Sequence, residues 1–204
     1  EQQRDLLAIK TQADRISRIT KSMLALSRGS ATVLKPMDLN CVLRSCIDAS
    51  KERAATKGVS IEAELSPGLP PIMGDRDRIE TVMLNLINNA IDAAEGGIPP
   101  GLVTVHSEAC PGKESDLVAV RISDTGSGIP EEMLGRIFDP FFTTKDEGQG
   151  TGLGLLLSYG IVADHRGRLE IDNGRRGAEA SVFLPALVSV AESQQEAGWE
   201  QARY

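Results

Sequence analysis

From Thr125 to Thr151 the chain runs without the period of a helix or a strand. This stretch lies between an apolar run, Leu117 to Ile122, and a segment that reads as a helix from about Leu153 to His165. A compact domain tolerates so long a connection only where rigid elements hold both ends and the connection is itself functional, which predicts a lid. Asp124 ends the apolar run and Gly126 and Gly128 follow it. Phe138, Phe141 and Phe142, three of the four Phe residues, crowd the middle, and Gly148, Gly150, Gly152 and Gly154 alternate at the far end. Glycines let a backbone approach a ligand closely, and a helix opening among them can turn its N–H groups toward phosphate oxygens. The stretch therefore predicts a nucleotide pocket with a mobile cover.

The flanking elements follow from periodicity and capping. Asp38 is placed to cap a helix from Leu39 to about Lys57, ended by Gly58, and Val59 to Leu65 alternates like a half-buried strand. After a turn at Pro67 to Pro71, Asp75 or Asp77 caps a second helix. Its residues Ile79, Val82, Met83, Leu86, Ile87, Ala90, Ile91 and Ala94 form a broad apolar face ending at Gly96-Gly97. Strands are expected at about Leu102–Ala109 and Leu117–Ser123, and a closing hairpin at Arg168–Asp172 and Ala178–Leu184 about an Asn173-Gly174 turn. This order lacks strict βαβ alternation. It predicts an α+β fold, a two-layer α/β sandwich with helices on one face of a mixed sheet. Upstream, Asp5 to Arg28 places apolar or small residues at alternating steps of three and four, a long amphipathic helix suited to a bundle or dimer seam. The expected layout is a partial dimerisation helix over 1–29, a linker over 30–35, one domain over 36–186, and a frayed tail or short helix over 187–204.

Charge and cysteine usage narrow the function. A formal net charge of −7 over 204 residues argues against a nucleic-acid or anionic-membrane surface, so an anionic ligand must be held by local groups. Cys41, Cys46 and Cys110 show no C-x-x-C spacing, which supports neither a disulfide framework nor a zinc site. No apolar run is long enough to cross a bilayer and no signal segment opens the chain. The first residue is Glu rather than Met, so a longer parent is expected, with these residues cytoplasmic and a membrane anchor open for the parent.

On the helix after Asp77, Asn85, Asn89 and Asp92 recur at steps of four and three on one face, with Asn88 nearby. Amide oxygens there can complete a Mg²⁺ shell with waters and phosphate oxygens, although such a stripe alone reads as the polar edge of a buried helix. Asp124, after an apolar strand, can accept a hydrogen bond from an exocyclic amine; alone, D-x-G-x-G is a turn. No G-x-x-x-x-G-K-[ST] string exists, so the Gly148–Gly154 cluster is not a P-loop. It also lacks the strand context of a dinucleotide fold. Lys145 is the nearest cation.

These blocks together resemble the catalytic ATP-binding domain of two-component sensor histidine kinases, of the Bergerat-type group that includes gyrase, Hsp90 and MutL. The resemblance covers about Pro36 to Pro185. Leu84–Ala94 is similar to the N box, Asp124–Pro130 to the first glycine box, Phe138–Phe142 to the F box, and Gly148–Leu155 to the second glycine box. The resemblance implies ATP and Mg²⁺ as cofactors, with Asn89 the principal metal ligand and Asn85 near the γ-phosphate and metal waters. It implies that Asp124 binds the adenine amine, with Gly126 and Gly128 keeping the floor open and Ile129 touching the base. Gly150, Thr151, Gly152, Leu153 and Gly154 would hold phosphates, and Lys145 and Asp92 would lie beside them. The lid would run from about Ser127 to Gln149, anchored by the Phe cluster. Ile16 to Arg28 resembles the second helix of a dimerisation hairpin.

Three departures stand out. A phospho-accepting His is absent, since His106 falls in a strand and His165 at a helix end, where the family commonly has a structural His. The basic residue that many members carry after the N box is Asp92. Ala178 stands where related ATPases often place Thr. The resemblance implies a protein histidine kinase domain that donates the γ-phosphoryl group to a His elsewhere, for relay to a response-regulator receiver domain, with a homodimeric parent. An anti-sigma-type serine kinase and a nucleotide-responsive binding module without transfer are the rival readings.

Overall fold

A computed structural model describes residues 34–95, 100–112, 116–145 and 150–187. The expected helix over Asp5–Arg28, the Gly96-Gly97 stop, Gly148 and the tail beyond Leu187 lie outside the described residues. Strand β1 (Lys35–Met37), helix α1 (Leu39–Thr56) and strands β2 (Val59–Leu65) and β3 (Ile72–Gly74) come first. Helix α2 (Arg76–Ala94), β4 (Gly101–Cys110), β5 (Leu117–Asp124) and a short α3 (Glu131–Leu134) follow. Helix α4 (Gly154–Asp164), β6 (Arg168–Asn173) and β7 (Ala178–Pro185) complete the fold.

The main sheet has five strands in the order β2-β4-β5-β7-β6, with β2 parallel to β4 and every other pair antiparallel. Helix α2 packs on both α1 and α4, and all three helices lie against the sheet, giving the expected two layers. Alternation along β4 sets the faces: Val103, Val105 and Ser107 are buried toward the helices, while Leu102, Thr104 and His106 are only half-covered. Each apolar position read on α2, from Ile79 to Ala94, is buried. A fully buried aliphatic side chain contributes about 1.5–3 kcal/mol, so this one face supplies a large part of the core.

Both N-caps act locally. Asp38 accepts from the N–H of Asn40 at 2.8 Å and of Cys41 at 3.3 Å, and it is Asp75, not Asp77, that caps α2 by accepting from Arg78. His165 is a cross-link in the body. Its Nε2 accepts from Asp75 N–H at 3.0 Å, which leaves Nδ1 as the donor to the Ile161 carbonyl at 2.7 Å.

Four details differ from the sequence expectation. β1 and β3 pair as a small second sheet, so the predicted linker over 30–35 gives way to strand at Lys35. The aperiodic stretch contains α3. The closing hairpin does not turn at Asn173-Gly174: β6 runs through Asn173, paired with Ala178, and the loop is residues 174–177. The chain also stays paired beyond the hairpin, because Ala186 bridges Ile72 and Leu187 N–H donates to the Pro71 carbonyl at 2.7 Å.

Candidate functional site

α2 lies between α1 and α4, so its polar stripe borders a cavity of about 1000 Å³. β5, the segment after it, the Phe-rich stretch and the opening of α4 form the other walls. Asn85, Asn89, Asp92, Asp124, Gly128, Ile129, Lys145, Gly150, Thr151, Gly152 and Gly154 all border this cavity, as does Asn88. Gly126 and Leu153 do not. Gly126 lies against the Ala93 carbonyl, and Leu153 is buried at 2% exposure, an apolar plug beneath the first turn of α4.

Asp124 is held through one of its two carboxylate oxygens. Its Oδ1 accepts from the N–H of Gly126 at 2.8 Å and of Ala178 at 3.2 Å, which leaves Oδ2 for another donor. Burial pushes its carboxyl above the usual range, and the two N–H groups pull the other way. Gly177 makes this arrangement possible: it has φ of 67°, and a Cβ there would run into Asp124.

A second wall carries the stripe of α2. Asn85 Nδ2 donates to Ser158 Oγ at 3.0 Å, and its Oδ1 lies where a Cβ on Gly154 would fall. Asn89 Oδ1 accepts from the Lys145 ammonium at 3.2 Å, and Lys145 also meets Asp92 Oδ2 at 2.5 Å. An amide oxygen and a carboxylate already aimed at one cation form a hard-oxygen set suited to Mg²⁺. Lys145, expected beside the phosphates, spans Asn89 and Asp92.

Arg53 and Lys57, unremarked in the sequence, complete this wall. Arg53 Nη2 lies 2.5 Å and Lys57 Nζ 3.1 Å from Asp92 Oδ1, and Lys57 also pairs with Glu95. Burial alone would raise the Asp92 carboxyl, but hydrogen bonds from Lys145, Arg53 and Lys57 outweigh it and bring it down to about 2. The available signal was an i,i+4 cation pair at the end of α1, which ordinarily reads as a complement to the helix dipole.

The stretch expected as a lid meets the body through Phe141 and Phe138, and a third contact, Arg136 with Phe142, lies within the stretch itself. Phe141 N–H donates to the Gly152 carbonyl at 2.9 Å, Phe138 packs on the core with its ring centroid 5.3 Å from that of Tyr159, and Arg136 lies over Phe142 at 4.9 Å. The Phe residues do not act as one anchor. Phe141 has φ of 66° and is 59% exposed, so its backbone rather than its ring makes the attachment. His106 sits on the half-covered sheet face between Glu64 and Glu108, away from the cavity. No helix among the described residues is long and apolar enough to cross a membrane.

The pattern of the family described as histidine kinase-, DNA gyrase B-, and HSP90-like ATPase matches residues 74–188. The sensor kinase CckA of Brucella abortus is 35% identical over 198 residues, covering 90% of this chain and 20% of that protein. The chain spans 20% to 38% of the length of the curated relatives it matches. The solved catalytic domain of histidine kinase ThkA is 31% identical with a TM-score of 0.65, covering 75% of this chain and 95% of that one. Histidine kinase ThkA in complex with the response regulator TrrA aligns with a TM-score of 0.71 and 27% identity, over 88% of this chain and 49% of that one.

Proposed function

The chain belongs to the histidine kinase-, DNA gyrase B-, and HSP90-like ATPase family, as a histidine kinase catalytic domain, and on that premise we propose that it binds Mg-ATP and donates the γ-phosphoryl group to a histidine outside residues 36–186. One observation carries the reading: a single cavity joins Asp124, its Oδ2 left for a donor, to Asn89, Asp92 and Lys145 and to the glycine-lined opening of α4. Asp124 Oδ2 accepts from the adenine amine and Ile129 covers the base. Gly150, Thr151, Gly152 and Gly154 border the phosphates, where the first turn of α4 presents free N–H groups. Asn89 is the principal metal ligand, with Asn85 beside it; Mg²⁺, when bound, neutralises phosphate oxygens.

In the transfer, the bond from the γ-phosphorus to the bridging oxygen of ADP breaks and a bond to an imidazole nitrogen forms. The imidazole proton leaves to a base outside this domain. This chain's share is alignment and charge neutralisation, which dominate phosphoryl transfer. Relay to a response-regulator receiver domain and homodimerisation through the predicted helix before residue 30 belong to the parent, with these residues on the cytoplasmic side.

The test is transfer of labelled γ-phosphate from Mg-ATP to the separately expressed segment upstream of this chain, with acid and alkali treatment of the product. Acid-labile, alkali-stable label is expected. Acid-stable label would point to a serine kinase, and ATP binding without label to a nucleotide-responsive module. Alongside it, Asn89→Ala is expected to abolish the Mg²⁺ dependence of ATP binding, and an unchanged dependence would remove Asn89 as metal ligand.

A further inference from the structure

We propose that Arg53, in the last turn of α1, and Lys57, which caps it, bind the β- and γ-phosphates of the nucleotide, with Asp92 as the positioning residue that brings both to the cavity. The inference rests on the ATP reading above and extends it to residues that precede the family match, which begins at residue 74.

The argument is one of charge and place. Asp92 places a carboxylate on the cavity wall beside Asn89. A carboxylate there would repel a triphosphate if it stood alone. It does not: Arg53, Lys57 and Lys145 all reach it, and among the described residues these three cations face two carboxylates, Asp92 and Glu95, at this wall. That local excess is positive on a chain of net charge −7. Arg53 and Lys57 both border the cavity, with 47% and 22% of their side chains exposed. An arginine has five N–H donors and a lysine three, so Arg53 keeps donors for phosphate oxygens after its contact with Asp92, and Lys57 keeps one after its contacts with Asp92 and Glu95. The carboxylate thereby converts an unfavourable position on α2 into an anchor for two cations from the neighbouring helix.

A purely structural role, tying α1 to α2, predicts a different outcome, and a nucleotide series separates the two. Binding of ATP, ADP and adenosine to the whole chain is measured by calorimetry for the wild type, Arg53→Gln, Lys57→Gln and Arg53→Lys. Each Gln variant is expected to weaken ATP by about five- to tenfold and adenosine by less than twofold, with a shallower dependence of ATP affinity on salt. Arg53→Lys is expected to recover most of the loss. Equal changes for ATP and adenosine, or no change for either, would overturn the inference while leaving the ATP site standing. If the wild type binds none of the three, the ATP reading and the inference fall together.

Discussion

Asn173 holds Ile129 by both atoms of its carboxamide: Oδ1 accepts from the Ile129 N–H at 2.7 Å and Nδ2 donates to the Ile129 carbonyl at 2.7 Å. The last residue of β6 is thereby bound to the first turn of the lid, two residues before α3 begins. A side chain that makes both hydrogen bonds of a peptide acts as a short extra strand. It sets the height of Ile129 over the cavity floor.

Asn173→Ala is therefore expected to loosen the lid base without unfolding the domain. A hydrogen bond contributes about 0.5–1.5 kcal/mol, so losing both should cost about 1–3 kcal/mol of local stability and weaken nucleotide binding by up to that amount, with the domain still folded. Hydrogen exchange at the Ile129 amide should quicken in the same variant; unchanged protection would show that the pair does not restrain the lid.

Asp124→Asn separates binding from folding. The amide keeps the Oδ1 acceptor used by Gly126 and Ala178 but replaces Oδ2 with a donor, which cannot accept from an exocyclic amine. Nucleotide affinity should drop about ten- to hundredfold, the size of a hydrogen bond to a charged group. Because burial raises the Asp124 carboxyl in the folded chain, its favourable contribution is full at low pH and is lost as pH rises through the raised value. The Asn variant should thus gain stability relative to wild type between acidic and neutral pH, measured by thermal unfolding across that range.

Asp92 behaves with the opposite sign. Its carboxyl is held at about 2, below the ordinary value, so its contribution is present above about pH 4 and is lost as pH falls toward 2. Asp92→Asn should destabilise the domain at neutral pH by about 1–2 kcal/mol, discounted for the partial exposure of its partners, and flatten the acid limb of the unfolding curve. A variant with an unaltered acid limb would mean that the three cations contribute no net stabilisation there.

Gly177→Ala should be strongly damaging for a change of one methyl group. The residue has φ of 67°, and the added Cβ would run into the Asp124 side chain and carbonyl. Left-handed strain and overpacking together predict a loss of about 2–4 kcal/mol, read from chemical denaturation. Nucleotide affinity should fall with it, since the same clash displaces Asp124.

The amino-acid sequence by itself determined the elements whose information is local. The apolar face of α2, the Asp38 cap, the alternation of β4 and the family blocks around Asn85, Asn89 and Asp124 depend on neighbours one to four residues away. Their spacing is enough to read them. Only the tertiary structure decided which groups meet across long separations. Arg53 and Lys57 reach Asp92 because α1 packs beside α2, Asn173 reaches Ile129 because β6 and β7 close the far side of a sheet ordered β2-β4-β5-β7-β6, and β1 finds β3 across an intervening helix and strand. Periodicity shows that a face is polar or apolar, but a charge at the end of a helix looks the same whether it faces water or a phosphate. The packing of one helix on the next turned an unremarkable Arg-Lys pair into part of the wall of the site.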